Sequence, residues 1–109
     1  MTFNEYQEAS QKTAVYDPGI NALYYLGLGV TGEAGEIAEK LKKILRNNDG
    51  RLTDEMKQEL KKEIGDVLWY LSQLSGELGF TFSEVAQANV DKLRDRKDRG
   101  VIKSQGDNR

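Results

Sequence analysis

The chain has 109 residues, of which 38% are hydrophobic and 31% charged, with a net charge of −2, one proline, no cysteine and no histidine. This length fits one domain, and acids and bases spread evenly, without a basic stripe, exclude a nucleic-acid polymer as partner. The missing histidine and cysteine remove the usual general base, zinc ligand, thiolate and disulfide. Any chemistry falls to carboxylates, lysines, hydroxyls or a hard metal ion.

Few prolines and no β-branched runs favour helix, and four helical segments follow in chain order. The first is expected over Phe3 to Tyr16, with Thr2 and Glu5 spaced for a capping box. Asp17-Pro18-Gly19 breaks it. The second runs from Ile20 to Arg46, where Leu26, Val30, Ile37, Leu41 and Ile44 recur at helical spacings. Asn47-Asn48-Asp49-Gly50 follows. Aligning Gly50 with the sixth position of a calcium loop puts Leu45 and Met56 where oxygen ligands are required, so this segment is a turn.

The third helix starts at Thr53, an N-cap followed by Asp54 and Glu55, and carries a stripe from Leu60 to Leu78 that Gly79 ends. Thr81 and Glu84 offer a second capping box to a fourth helix reaching Arg99. Residues 100–109, GVIKSQGDNR, read as a flexible polar tail. Four helices joined by short turns predict an all-α fold, an antiparallel four-helix bundle forming a single domain over 1–99. Its lean core predicts an oligomer. No apolar segment is long enough for a membrane span and no signal-peptide pattern occurs, so the expected location is the cytoplasm.

The chemistry concentrates in two acid pairs. Glu33 and Glu36 stand in GEAGEIAEKLKK on the second helix, and Glu63 and Asp66 in EIGDVLWYL on the third. Spacing of three puts both members of a pair on one helix face. At 100° per residue, Glu33 lies roughly 45° and Glu36 roughly 105° from the centre of their apolar stripe. Glu63 and Asp66 lie roughly 60° and 120° from theirs, in the same sense. In an antiparallel pair, equal rotation in one sense turns both flanks to the same side. The heights match as well: Glu36 is 14 residues before Gly50 and Glu63 is 13 after it.

Four converging carboxylates repel unless a positive charge sits among them, and an oxygen-only donor set favours Mg²⁺ or Mn²⁺. The competing reading is a set of solvated acids paired with Lys40, Lys43 and Lys62. Gly32 and Gly35 bracket Glu33, either for close helix packing, the favoured reading, or to leave room for a ligand.

These two motifs, with the 26 residues between Glu36 and Glu63, resemble the MazG-like, all-α nucleoside triphosphate pyrophosphohydrolases, whose signature is E-E-x-x-E, a variable gap, then E-x-x-D. Gly32 stands where the family has its first Glu, a departure that points to a subgroup reading G-E-x-G-E. The resemblance implies that Glu33, Glu36, Glu63 and Asp66 hold Mg²⁺. The implied reaction is NTP plus water giving NMP and pyrophosphate. One carboxylate could accept the proton of water, Glu36 being the choice, unless all four serve only as ligands. Dimeric dUTPases and phosphoribosyl-ATP pyrophosphatases share this scaffold, so the base does not follow. A non-catalytic oligomerisation or regulatory module on the same scaffold is the alternative. The intact acid set argues against it. A ferritin-like di-metal site expects histidine and is set aside.

Asn89, Lys92 and Arg96 share one face of the fourth helix. One reading gives Asn89 a metal or phosphate contact and makes Lys92 and Arg96 neutralise the triphosphate. The other is a salt-bridged helix end with Asp91, Asp95 and Asp98 as partners. Tyr70, four residues after Asp66, faces the same way as the acids and is read either as a contact to the sugar or base or as an aromatic of the bundle core. Tyr6 and Gln7 are candidates for a base pocket, Trp69 for a subunit interface, and Glu39 for the solvated face. The partners expected are a nucleoside triphosphate and further copies of the chain, as a homodimer or homotetramer.

Overall fold

A computed structural model describes residues 1–17 and 20–109; Pro18 and Gly19 of the expected break lie outside the described residues. Four helices and no strands are present among them: α1 Phe3–Gln11, α2 Ala22–Asn48, α3 Asp54–Glu77 and α4 Phe82–Asp98. The all-α expectation stands.

Local chemistry sets most boundaries. Both capping boxes form: Thr2 accepts from the Glu5 amide at 3.0 Å, and Thr81 from the Glu84 amide at 3.1 Å, with each glutamate returning to its cap's amide. Thr53 caps α3 by accepting from the Met56 amide at 3.2 Å. Caps of this kind each contribute about 1 kcal/mol. Gly79, at φ 84°, ends α3 in a Schellman motif, its amide bonded to the Gly76 carbonyl and that of Phe80 to Ser75.

α2 is shifted two residues at each end from the expected Ile20 to Arg46, taking Asn47 and Asn48 of the expected turn into the helix, and α1 differs most. α1 stops at Gln11, short of Tyr16, because the Thr13 hydroxyl turns back to the Ser10 carbonyl at 2.7 Å and accepts the Trp69 indole N–H at 2.8 Å. A side chain that satisfies the backbone locally competes with continuing the helix.

α2 and α3 form a long antiparallel hairpin, and α1 and α4 pack on each other and on α3. Among the described residues, α2 makes no packing contact with α4. The radius of gyration is 16.9 Å, above the about 13 Å of a compact chain of this length.

The buried apolar set is correspondingly small: Leu26 and Ile44 on α2, and Phe82 at the start of α4. Phe82 meets Phe3 edge-on at 5.1 Å between ring centres, which ties α4 to α1. Polar groups fill the α1–α3–α4 junction. Gln7 donates to the Phe80 carbonyl at 3.1 Å and accepts from the Phe82 amide at 3.0 Å, while Gln73 donates to the Ser10 hydroxyl at 2.7 Å. Gln7 is thus a structural tie between helices and not the base-pocket residue expected. Large apolar side chains remain outside, Leu28 at 75% exposure and Leu45 at 70% among them.

Candidate metal centre

The α2–α3 hairpin brings one carboxylate oxygen each from Glu33, Glu63 and Asp66 within 4.8 Å of one another. Oxygens sharing a hard cation at 2.0–2.6 Å lie at most about 5 Å apart, so this donor set fits Mg²⁺, Mn²⁺ or Ca²⁺. Glu33 and Glu63 are half-buried and Asp66 is exposed. Burial holds the Glu33 carboxyl above its ordinary range, and the negative charges of Asp66, Glu63 and Glu36 add to the shift. Lys40 stands 3.6 Å from Glu63 and 3.9 Å from Glu59, one ammonium against the whole acid group. Lys43 pairs instead with Glu39 at 3.5 Å and Lys62 with Glu59 at 3.3 Å, both outside the three-carboxylate group.

Glu36 is exposed and lies outside the three-oxygen group, although near enough for its charge to be felt at Glu33. Sequence spacing anticipated four converging acids; the folded chain brings three together. Glu36, three residues on from Glu33 along α2, is exposed where Glu33 is half-buried. Glu39 is taken up by Lys42 at 2.9 Å and Lys43, as a solvated acid.

Gly32 and Gly35 correct the packing expectation. A Cβ added at either would meet nothing within 4 Å, so the backbone beside Glu33 is open. The close approach falls instead on Gly29, where a Cβ would lie 2.1 Å from Cε1 of Tyr70. Neither Gly29 nor its role was singled out in the sequence. The available signal was a helical glycine one turn before Glu33, on the flank carrying the acids.

Tyr70 belongs to an aromatic group with Tyr25, Trp69 and Tyr16, at ring-centre distances of 5.0 to 6.4 Å. Burial raises its phenol pKa; the Tyr25 phenol, Glu33 and Asp66 raise it further. Tyr6 on α1 is shifted upward by burial and then by Asp66. Both phenols thus lie near enough to the acids to feel their charge. Trp69, expected at a subunit interface, has partners within the chain in Thr13 and Tyr16.

α4's residues are placed differently. Asn89 and Lys92 line an open groove of about 510 Å³ with Phe80, Glu84, Val85 and Ala88, a lining that contains none of the four acids. Arg96 is buried under residues 101–109, which turn back on α4 where a free tail was expected. Gly100, at φ 71°, makes that reversal.

Fold and site together define an all-α protein carrying an oxygen-only carboxylate cluster between two antiparallel helices. The profile of the MazG nucleotide pyrophosphohydrolase domain family matches residues 24–101, and the chain belongs to that family. The resemblance read from the two acid motifs is borne out. The chain is also 51% identical over 110 residues to the Gene 37 protein of Mycobacterium phage L5, covering 95% of this chain and 96% of that protein. No solved structure matches it. Among the described residues no helix is long and apolar enough to cross a membrane.

Proposed function

We propose that the chain is a Mg²⁺-dependent hydrolase, with Mn²⁺ able to substitute, that converts nucleoside or deoxynucleoside triphosphates and water to the monophosphate and pyrophosphate. The observation that carries this reading is the convergence of Glu33, Glu63 and Asp66 across two helices in a member of a nucleotide pyrophosphohydrolase family. Those three residues would hold the ion. A divalent cation there supplies neutralisation of phosphate oxygens and a lowered pKa for bound water.

Glu36, close to the three but outside their group, is the carboxylate left to accept a proton from the attacking water. Water forms the new bond to the α-phosphorus, the bond to the bridging oxygen breaks, and pyrophosphate leaves. The open backbone at Gly32 and Gly35 leaves space for phosphate oxygens beside Glu33. Tyr70 faces the nucleoside. Asn89, Lys92 and Arg96 are assigned to the phosphates; Lys92 and Arg96 are engaged by Asp107, which a triphosphate would have to displace.

Exposed apolar residues on a thinly covered hairpin favour a homodimer or homotetramer. The role proposed is housekeeping of the nucleotide pool in the cytoplasm. The direct test is incubation with a panel of NTPs and dNTPs plus Mg²⁺, scoring NMP and pyrophosphate. No release from any nucleotide, or full activity in Glu33→Gln and Asp66→Asn, would sink the reading; orthophosphate as product would mean that a different bond breaks.

A further inference from the structure

Four glycines interrupt α2 at 27, 29, 32 and 35, and three of them have open space where a Cβ would stand. Gly29 alone has a neighbour: Cε1, Cδ1 and Cζ of Tyr70 would lie 2.1, 2.4 and 2.7 Å from its Cβ. Glycine inside a helix is unfavourable against alanine, so a packing reason is expected where a ring lies on the backbone. Trp69 stands edge-on to this ring at 5.0 Å and Tyr25 lies tilted at 6.4 Å, so the ring is seated between neighbours and a Cβ at 29 would unseat it. Gly29 is four residues before Glu33 and Tyr70 four after Asp66 on the antiparallel partner helix. The pair therefore occupies the level one turn from the carboxylates. The phenol is close enough to feel the charges of both Glu33 and Asp66.

We infer that Gly29 is a positioning residue for the nucleotide site. Its missing side chain seats the Tyr70 ring so that the phenol stands at the rim of the carboxylate cluster, as a hydrogen-bond donor to a sugar–phosphate oxygen of the bound nucleotide. This rests on the reading of the site as a nucleotide hydrolase. A larger residue at 29 pushes the ring outward and takes the donor with it, leaving the acids untouched.

The test compares the full chain with Gly29→Ala, Tyr70→Phe, Tyr70→Ala and the Gly29→Ala/Tyr70→Ala double variant. Melting temperature, Mn²⁺ affinity, and kcat and KM on the best nucleotide of the panel are read for each. Gly29→Ala is expected to lower the melting temperature of the wild-type chain and to raise it in the Tyr70→Ala background, where the ring is gone and alanine is the better helix former. Tyr70→Phe is expected to lower kcat/KM about tenfold through KM, the loss of one hydrogen bond to a charged acceptor. Gly29→Ala should match it, and the double variant should be no worse than Tyr70→Ala. Mn²⁺ affinity should stay within about twofold throughout.

Losses from Gly29→Ala and Tyr70→Ala that multiply, wild-type kcat/KM in Tyr70→Phe, or a fall of Mn²⁺ affinity in Gly29→Ala would each overturn the proposal. If Gly29→Ala does not fold, Tyr70→Phe and the double variant still decide it. A wild-type chain without hydrolysis refutes the proposed function; an active one indifferent to Tyr70→Phe refutes the positioning role alone.

Discussion

Asp107 closes over Arg96. Arg96, 3% exposed as a residue, donates from its guanidinium to the Asp107 carboxylate at 3.2 Å and to its main-chain carbonyl, and Lys92 reaches the same carboxylate at 3.5 Å. The hydrogen bond from Arg96, followed by the charge of Lys92, holds the Asp107 carboxyl below its ordinary range. The acidic side chain thus occupies the two cations assigned to the substrate phosphates.

Replacing Asp107 by alanine should release residues 101–109, seen as faster amide hydrogen exchange there. If Lys92 and Arg96 meet the triphosphate, KM for the nucleotide falls several-fold in the same variant. An unchanged KM removes both cations from the binding assignment.

Metal-free stability should depend on Glu33. Its pKa is raised on folding, so the native state binds the proton more tightly than the unfolded chain, and stability falls as pH rises from the ordinary carboxylate range through the raised value. Glu36, Glu63, Asp66 and Lys40 are the charged groups around it. Glu33→Gln should therefore melt higher than wild type at pH 7 without metal, with the gain vanishing in acid. Mn²⁺ should raise the wild-type melting temperature at pH 7 more than that of the variant. Equal responses to Mn²⁺ would argue against metal at this cluster.

Glu36 and Asp66 should separate in kinetics. Removing a proton acceptor costs a factor of about 10² to 10⁴ in rate, so Glu36→Gln should lose kcat in that range while Mn²⁺ affinity holds. Asp66→Asn, which lies within the three-oxygen group, should weaken Mn²⁺ binding measurably. A matched loss of metal affinity in both variants would make Glu36 a fourth ligand.

Leu45, 70% exposed, tests the assembly. On a free surface a charged replacement changes stability by at most about 0.5 kcal/mol. If the face is covered by a second copy, Leu45→Arg should shift the mass found by sedimentation equilibrium toward one chain and lower the melting temperature. No change in either would place the interface elsewhere.

Legibility followed the range of the forces. Thr2 with Glu5, Thr53, Gly79 and Thr81 with Glu84 act within a turn or two of themselves, so helix ends could be read from spacing alone. The end of α1 is not legible in this way, because Thr13 answers to Trp69, 56 residues away. The acid pairs could be read because an antiparallel hairpin maps sequence depth onto height, which is how Glu33, Glu63 and Asp66 come together. Gly29 could not, since its meaning depends on which ring lies opposite.

Helix content, caps, the hairpin and the presence of a carboxylate site were determined by the sequence itself, through periodicity and the fixed geometry of the helix. Only the tertiary structure decided that three acids meet while Glu36 stays outside, that Gly29 carries the close approach, and that Arg96 is covered by Asp107. Those outcomes depend on side-chain reach and on which faces α3 and the tail cover. Local periodicity does not encode such contacts between distant residues.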